Sequence, residues 1–199
     1  MAYQITGRKD ALQIAGPAGP RSTPQGAVLL CDTSSSMAAS DTFSGRRRID
    51  HLAEVLAGVL SRTRIQRLFT FNSWVTEYPV GTRIDLEEPT GGTALDVALE
   101  EMTRIEPAFE QLIILTDGVP NYPEGTLEAM DRLQAVRPCP VHVYFCGDDH
   151  DRGAKQFCEE LMRHGGQGST WGSHNLAQSK RLATELVLRI GHGGGASRG

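Results

Sequence analysis

Short apolar runs alternate with amphipathic stretches along most of the chain. The runs fall at residues 27–31 (AVLLC), 65–71 (IQRLFTF), 74–79, 111–116 (QLIILT) and 141–146 (VHVYFC), with a weak last one at 169–171. Their length is that of strands. Three are nearly unbroken in apolar residues, as expected of central strands covered on both faces. Between them the apolar positions recur with helical spacing. Ile49, Leu52, Leu56 and Val59 form one stripe, and Leu95, Ala98, Leu99, Met102 and Ile105 another. Leu127, Met130, Leu133 and Val136 mark a third helix, Phe157, Leu161 and Met162 a fourth, and residues 176–190 a fifth.

Asn72-Ser73 separates the second and third strands by two turn-forming residues, which predicts an antiparallel hairpin and hence one antiparallel edge strand. Trp74 and Tyr78 alternate on that strand and are expected to cover the core. The remaining alternation predicts an α/β fold: a Rossmann-like, doubly wound, mostly parallel sheet with helices on both faces. In such sheets the ligand crevice lies outside the carboxyl ends of the strands. Residues 1–25, ending AGPAGPRSTPQ, and residues 191–199 (GHGGGASRG) read as flexible tails around one domain at 26–190. The first tail has a candidate pairing segment around residues 3–6.

Composition narrows the function classes. With 20 Lys and Arg against 24 Asp and Glu, the net charge of −4 offers no general attraction to nucleic acid or anionic lipid. The run Arg46-Arg47-Arg48 reads as a solvated loop or helix start. Cys31, Cys139, Cys146 and Cys158 have no CxxC or zinc-finger spacing and read as reduced, packed thiols. No apolar stretch has the length of a signal or a membrane span, so a cytoplasmic protein is expected.

Polar residues converge at the strand ends. The first strand runs into Asp32-Thr33-Ser34-Ser35-Ser36-Met37, the fourth into Thr116-Asp117-Gly118, and Thr90-Gly91-Gly92-Thr93 opens the second helix. Two carboxylates with several hydroxyls make a hard, all-oxygen donor set, suited to Mg²⁺, Mn²⁺ or Ca²⁺ rather than to zinc or copper. In an extended loop Ser34 and Ser36 would point one way and Ser35 the other. Gly91 and Gly92 would let the backbone bring Thr93 close.

DTSSSM, TGGT and LTDG, in this order, resemble the three elements of the metal-ion-dependent adhesion site (MIDAS) of von Willebrand factor A (vWA) domains, a likeness extending roughly over residues 26–190. The resemblance implies Ser34 and Ser36 as direct ligands through their hydroxyls. Asp32 and Asp117 would act directly or through water, and Thr93 would be the fifth metal residue. The open position would take water or a partner's Asp or Glu carboxylate. Ser35 stands where many members have glycine, and residues 38–47 (AASDTFSGRR) insert a polar loop beside the site.

The expected function is therefore metal-dependent protein binding in a bacterial-type cytoplasmic complex, with no catalytic residue. The resemblance implies a partner from an AAA+ ATPase, kinase or phosphatase system. The motifs hold no activated nucleophile, no Lys or His base and no GxxxxGK[ST] loop. The alternative is a Mg²⁺-dependent phosphotransferase or phosphatase with Asp32 as nucleophile, but such chemistry wants a second acid where this chain has Ser34. His142 reads as a packed, hydrogen-bonded strand residue, and Asp148, Asp149 and Asp151 as a solvated loop. Tyr122 is a rim contact candidate.

Overall fold

In the computed structural model, which describes residues 26–40, 45–63, 65–78, 84–174 and 178–193, the three most apolar runs lie next to one another inside one six-stranded sheet. These strands are β1 (Ala27–Asp32), β4 (Gln111–Thr116) and β5 (Val141–Phe145), buried at every residue. Outside them lie β2 (Arg67–Phe71) and β3 (Val75–Tyr78) on one side and β6 (Thr170–Ser173) on the other, in the order β3-β2-β1-β4-β5-β6. All pairings are parallel except that of β2 with β3.

Strand alternation explains the two cores. Val28, Leu30, Leu112, Ile114, Val141 and Val143 face α2 (Leu95–Arg104), α3 (Pro123–Val136) and α4 (Arg152–Arg163). Ala27, Leu29, Cys31, Ile113, Leu115 and Tyr144 face α1 (Arg48–Leu60) and α5 (Ser179–Gly193). A continuous apolar strand thus feeds both layers at once. Each fully buried leucine contributes about 2 kcal/mol by its removal from water.

The crossover from β1 through α1 leads to β2 on one flank, whereas the connection through α2 returns to β4 on the other. The winding therefore changes direction between β1 and β4. That is the switch point, where the carboxyl ends of two parallel strands diverge and leave a crevice.

Several local expectations are corrected. The β2–β3 turn holds three residues, 72–74, because Phe71 pairs with Val75. Asn72 closes it, its amide donating to the Trp74 carbonyl and its Oδ1 accepting from the Trp74 amide. Trp74 consequently leaves the strand and is 54% exposed instead of covering the core, while Tyr78 packs against the α1/α5 side. The loop after β1 is not extended: residues Ser35–Ala38 form a 3₁₀ turn. The fifth helix runs three residues past its expected end, to Gly193. The suggested pairing segment at residues 3–6 lies outside the described residues.

The four cysteines are free and buried. His142 is buried within β5, its Nδ1 2.9 Å from the Thr170 hydroxyl. Asp151 caps α4 by accepting from the Ala154 amide, and Asp149 pairs with Lys155, so these acids serve the local chain.

Because Leu30 is fully buried at the centre of the α2–α4 layer, its truncation would leave a cavity that its neighbours fill poorly. Leu30→Ala is expected to lower the unfolding free energy by about 3 kcal/mol, read from urea denaturation.

Candidate metal centre

Parallel register brings the two key carboxylates together. Cys31 pairs with Leu115, so Asp32 at the end of β1 lies level with Thr116, and Asp117 follows one residue later. Thr116 Oγ1 donates to Asp32 Oδ2 at 2.7 Å, and the Ser34 amide donates to Asp32 Oδ1 at 2.8 Å. Both oxygens of this fully buried carboxylate are thus held.

The 3₁₀ turn does what an extended loop was expected to do, by a different geometry. Ser34 Oγ lies 3.0 Å from Ser36 Oγ, and Ser36 Oγ donates to Asp117 Oδ1 at 2.7 Å. Ser35 turns the other way, its hydroxyl donating to the Gly91 carbonyl at 2.8 Å. Asp32, Ser34, Ser36 and Asp117 therefore form one continuous cluster of oxygens.

Thr93 is positioned by its backbone. Its amide donates to Asn121 Oδ1 at 3.2 Å, and its carbonyl accepts from the Asn121 amide at 3.0 Å. On the other side the Thr90 amide donates to the Thr33 carbonyl, and the Ser35 amide to the Gly91 carbonyl. The loop carrying Thr93 is thereby fastened to both the β1 and the β4 loops. Gly91 adopts φ +73°, which favours glycine, and a Cβ at Gly92 would run into Asn121 Nδ2. Both glycines are steric requirements of this loop.

Two contacts of the carboxylates escaped the sequence reading. Thr116 precedes Asp117 directly, and the strand register was the signal that could have shown it beside Asp32. Arg48 is the second: the arginine run does stand at a helix start, Arg48 being the first residue of α1, but Arg48 itself is not solvated. Its Nη1 donates to Asp117 Oδ2 at 2.7 Å, against an Asp117 side chain with no exposed surface. Arg46 pairs with Glu54, and Arg47 with Asp50 and Glu88.

Electrostatics follow from burial. Loss of water, and then the Asp117 charge nearby, push the Asp32 carboxyl up to about 6, although the Ser34 and Thr116 hydrogen bonds pull it down. The donor chemistry fits a hard divalent ion, with two carboxylates and two hydroxyls within hydrogen-bonding distance of one another. Among the described residues no three His, Cys, Asp or Glu side chains gather as ligands would, so any ion here depends on the hydroxyls.

This topology is a doubly wound, Rossmann-like α/β sheet with a switch-point crevice, a fold it shares with von Willebrand factor A-type domains. The sequence matches no protein-family model and no curated protein. Solved structures share the fold. They include an aerotolerance-related membrane protein from Bacteroides fragilis (TM-score 0.60, 14% identity, covering 83% of this chain and 98% of that one). The VWA domain of SpRpn10 is similar as well (TM-score 0.61, 10% identity, 82% and 95%). So is the manganese-loaded Plasmodium vivax TRAP protein (TM-score 0.52, 19% identity, 82% and 73%). At these identities the likeness establishes the fold alone.

The Asp32 shift has a stability consequence. An unfolded aspartate has its pKa near 3.8, so the folded chain holds this proton more tightly. The resulting stabilisation is complete below pH about 4 and is lost as the pH rises to about 6, a change of about 3 kcal/mol. Asp32→Asn should remove this dependence. In chelator, urea denaturation between pH 4 and pH 7 is expected to show the variant gaining on the parent by that order.

Proposed function

We propose that the chain is a metal-dependent protein-interaction module, in which Asp32, Ser34, Ser36, Thr93 and Asp117 hold a divalent cation, Mg²⁺ by preference and Mn²⁺ or Ca²⁺ as substitutes. The observation that carries this reading is the oxygen cluster at the switch point, where Ser34, Ser36 and Asp117 are linked within 3.0 Å beside Asp32. Bound there, the ion would supply a Lewis-acidic position for one further anionic oxygen, an Asp or Glu carboxylate of the partner.

The protein's own residues divide the work. Asp32 and Asp117 supply the negative charge, and the serine hydroxyls add donors without adding charge. Thr116 and the Ser34 amide fix the Asp32 carboxylate, so that it need not reorganise on binding. Asn121, through Thr93, holds the third loop in register. Around the crevice Tyr122 and Val119 are exposed, and Tyr122 at 55% exposure is suited to anchoring a partner.

Phosphotransfer through Asp32 draws no support from this geometry. The acid-base carboxylate that such chemistry wants two residues after the nucleophile is Ser34 here, whose hydroxyl lies against that of Ser36. A cytoplasmic setting, and a partner from an AAA+ ATPase, kinase or phosphatase system, remain part of the proposal. The described helices include none long and apolar enough to cross a membrane.

Calorimetric titration with Mn²⁺ tests the reading directly. The parent chain should bind about one ion, and Ser34→Ala and Asp117→Ala should lose binding at least tenfold while keeping their circular dichroism spectra. Equal binding by all three proteins would refute the assignment of these ligands. Chelator should leave the helical signal intact, because the two apolar layers form without the ion.

A further inference from the structure

The three-arginine run ends at the candidate site, and its last member has no surface role. Arg46 and Arg47 bind carboxylates of α1 and of the segment preceding α2. Arg48 instead reaches the buried Asp117, with only 19% of its own side chain exposed. Its location is enforced by the inserted loop. Ser40 and Arg47 pair as an antiparallel bridge, and the Arg48 amide donates to the Ala39 carbonyl at 3.0 Å, so the base of the loop is closed just where α1 begins.

Two buried carboxylates side by side require a countercharge, and Arg48 supplies one. We propose that Arg48 is a tethered competitor of the divalent cation, setting the metal affinity of the site through its hold on Asp117; this rests on the metal-binding reading above. Asp117 Oδ1 is taken by Ser36 and Oδ2 by Arg48. An ion approaching Oδ2 must displace the guanidinium. An ion that uses Oδ1 alone still meets a positive charge on the other oxygen of the same carboxylate. Either way the ion binds less tightly than the oxygens alone would allow. A guanidinium suits this task because it keeps its charge at all accessible pH.

The competition has a direction that a merely structural ion pair lacks. Removing Arg48 should weaken the fold in the absence of the ion, because Asp117 loses its countercharge, and should strengthen binding of the ion. If Arg48 occupies Asp117 in about nine molecules of ten, the apparent metal affinity is reduced about tenfold. A structural contact would give the first effect without the second.

The test is calorimetric titration of Mn²⁺ into the parent chain and Arg48→Gln, with melting curves in chelator and in saturating Mn²⁺. The expected result is about tenfold tighter binding by Arg48→Gln, together with a lower melting temperature in chelator and a larger rise on adding Mn²⁺. Unchanged or weaker binding by Arg48→Gln, with the parent binding normally, overturns the role of Arg48 and leaves the metal site standing. Failure of both proteins to bind Mn²⁺ overturns both. Should Arg48→Gln not fold, the parent chain still decides: the Arg48 guanidinium NMR signal should shift on saturation with diamagnetic Mg²⁺. A signal that does not move at saturation excludes displacement and repulsion alike.

Discussion

The central constraint is the placement of two aspartates at the adjoining carboxyl ends of β1 and β4, inside a sheet that buries them both. Parallel register makes the encounter unavoidable, since Cys31 lies opposite Leu115 and each carboxylate follows within two residues. Burial and mutual repulsion disfavour the charged pair, and the Asp32 carboxyl responds by holding its proton to about pH 6. What surrounds the pair is compensation. Thr116, the Ser34 amide and Ser36 donate hydrogen bonds, and Arg48 brings a positive charge. Hydrogen-bond donors alone leave the net charge in place, and on the proposed reading a bound cation would offset it.

The scaffold explains why these groups are held together at one edge of the molecule. Strands apolar on both faces anchor helices above and below, so the strand ends cannot shift without disturbing two packed layers. The loops bearing Ser34, Thr93 and Asp117 are then tied to one another by backbone hydrogen bonds, with Gly91 and Gly92 allowing the close approach. Such a frame suits binding by preorganisation, where the ligand groups are in place before the ligand arrives.

Much of the fold was legible because it follows from periodicity. Unbroken apolar runs announced β1, β4 and β5, and the stripes of Leu95, Leu99 and Met102 or of Leu52, Leu56 and Val59 announced helices on opposite faces. Asp32, Ser34, Ser36 and Asp117 stood out because polar residues directly after apolar strands gather at the switch point. Less legible were features decided by local turn geometry. One extra residue in the β2–β3 turn removed Trp74 from the core, and a 3₁₀ turn, rather than extended alternation, brought Ser34 and Ser36 together. Arg48 was hidden for another reason: a run of three arginines looks solvated unless the closure of the loop before it is known. Thr116 was hidden because its partner depends on interstrand register, which composition does not encode.

The most direct test of the account is paramagnetic broadening of the amide NMR spectrum by substoichiometric Mn²⁺, because it locates an ion without presupposing its ligands. The account predicts that broadening is strongest at the amides of residues 32–36, 91–93 and 117–118, and decays with distance from the β1–β4 switch point. Broadening centred instead on the acidic loop at residues 148–151, or spread uniformly over exposed carboxylates, would contradict it.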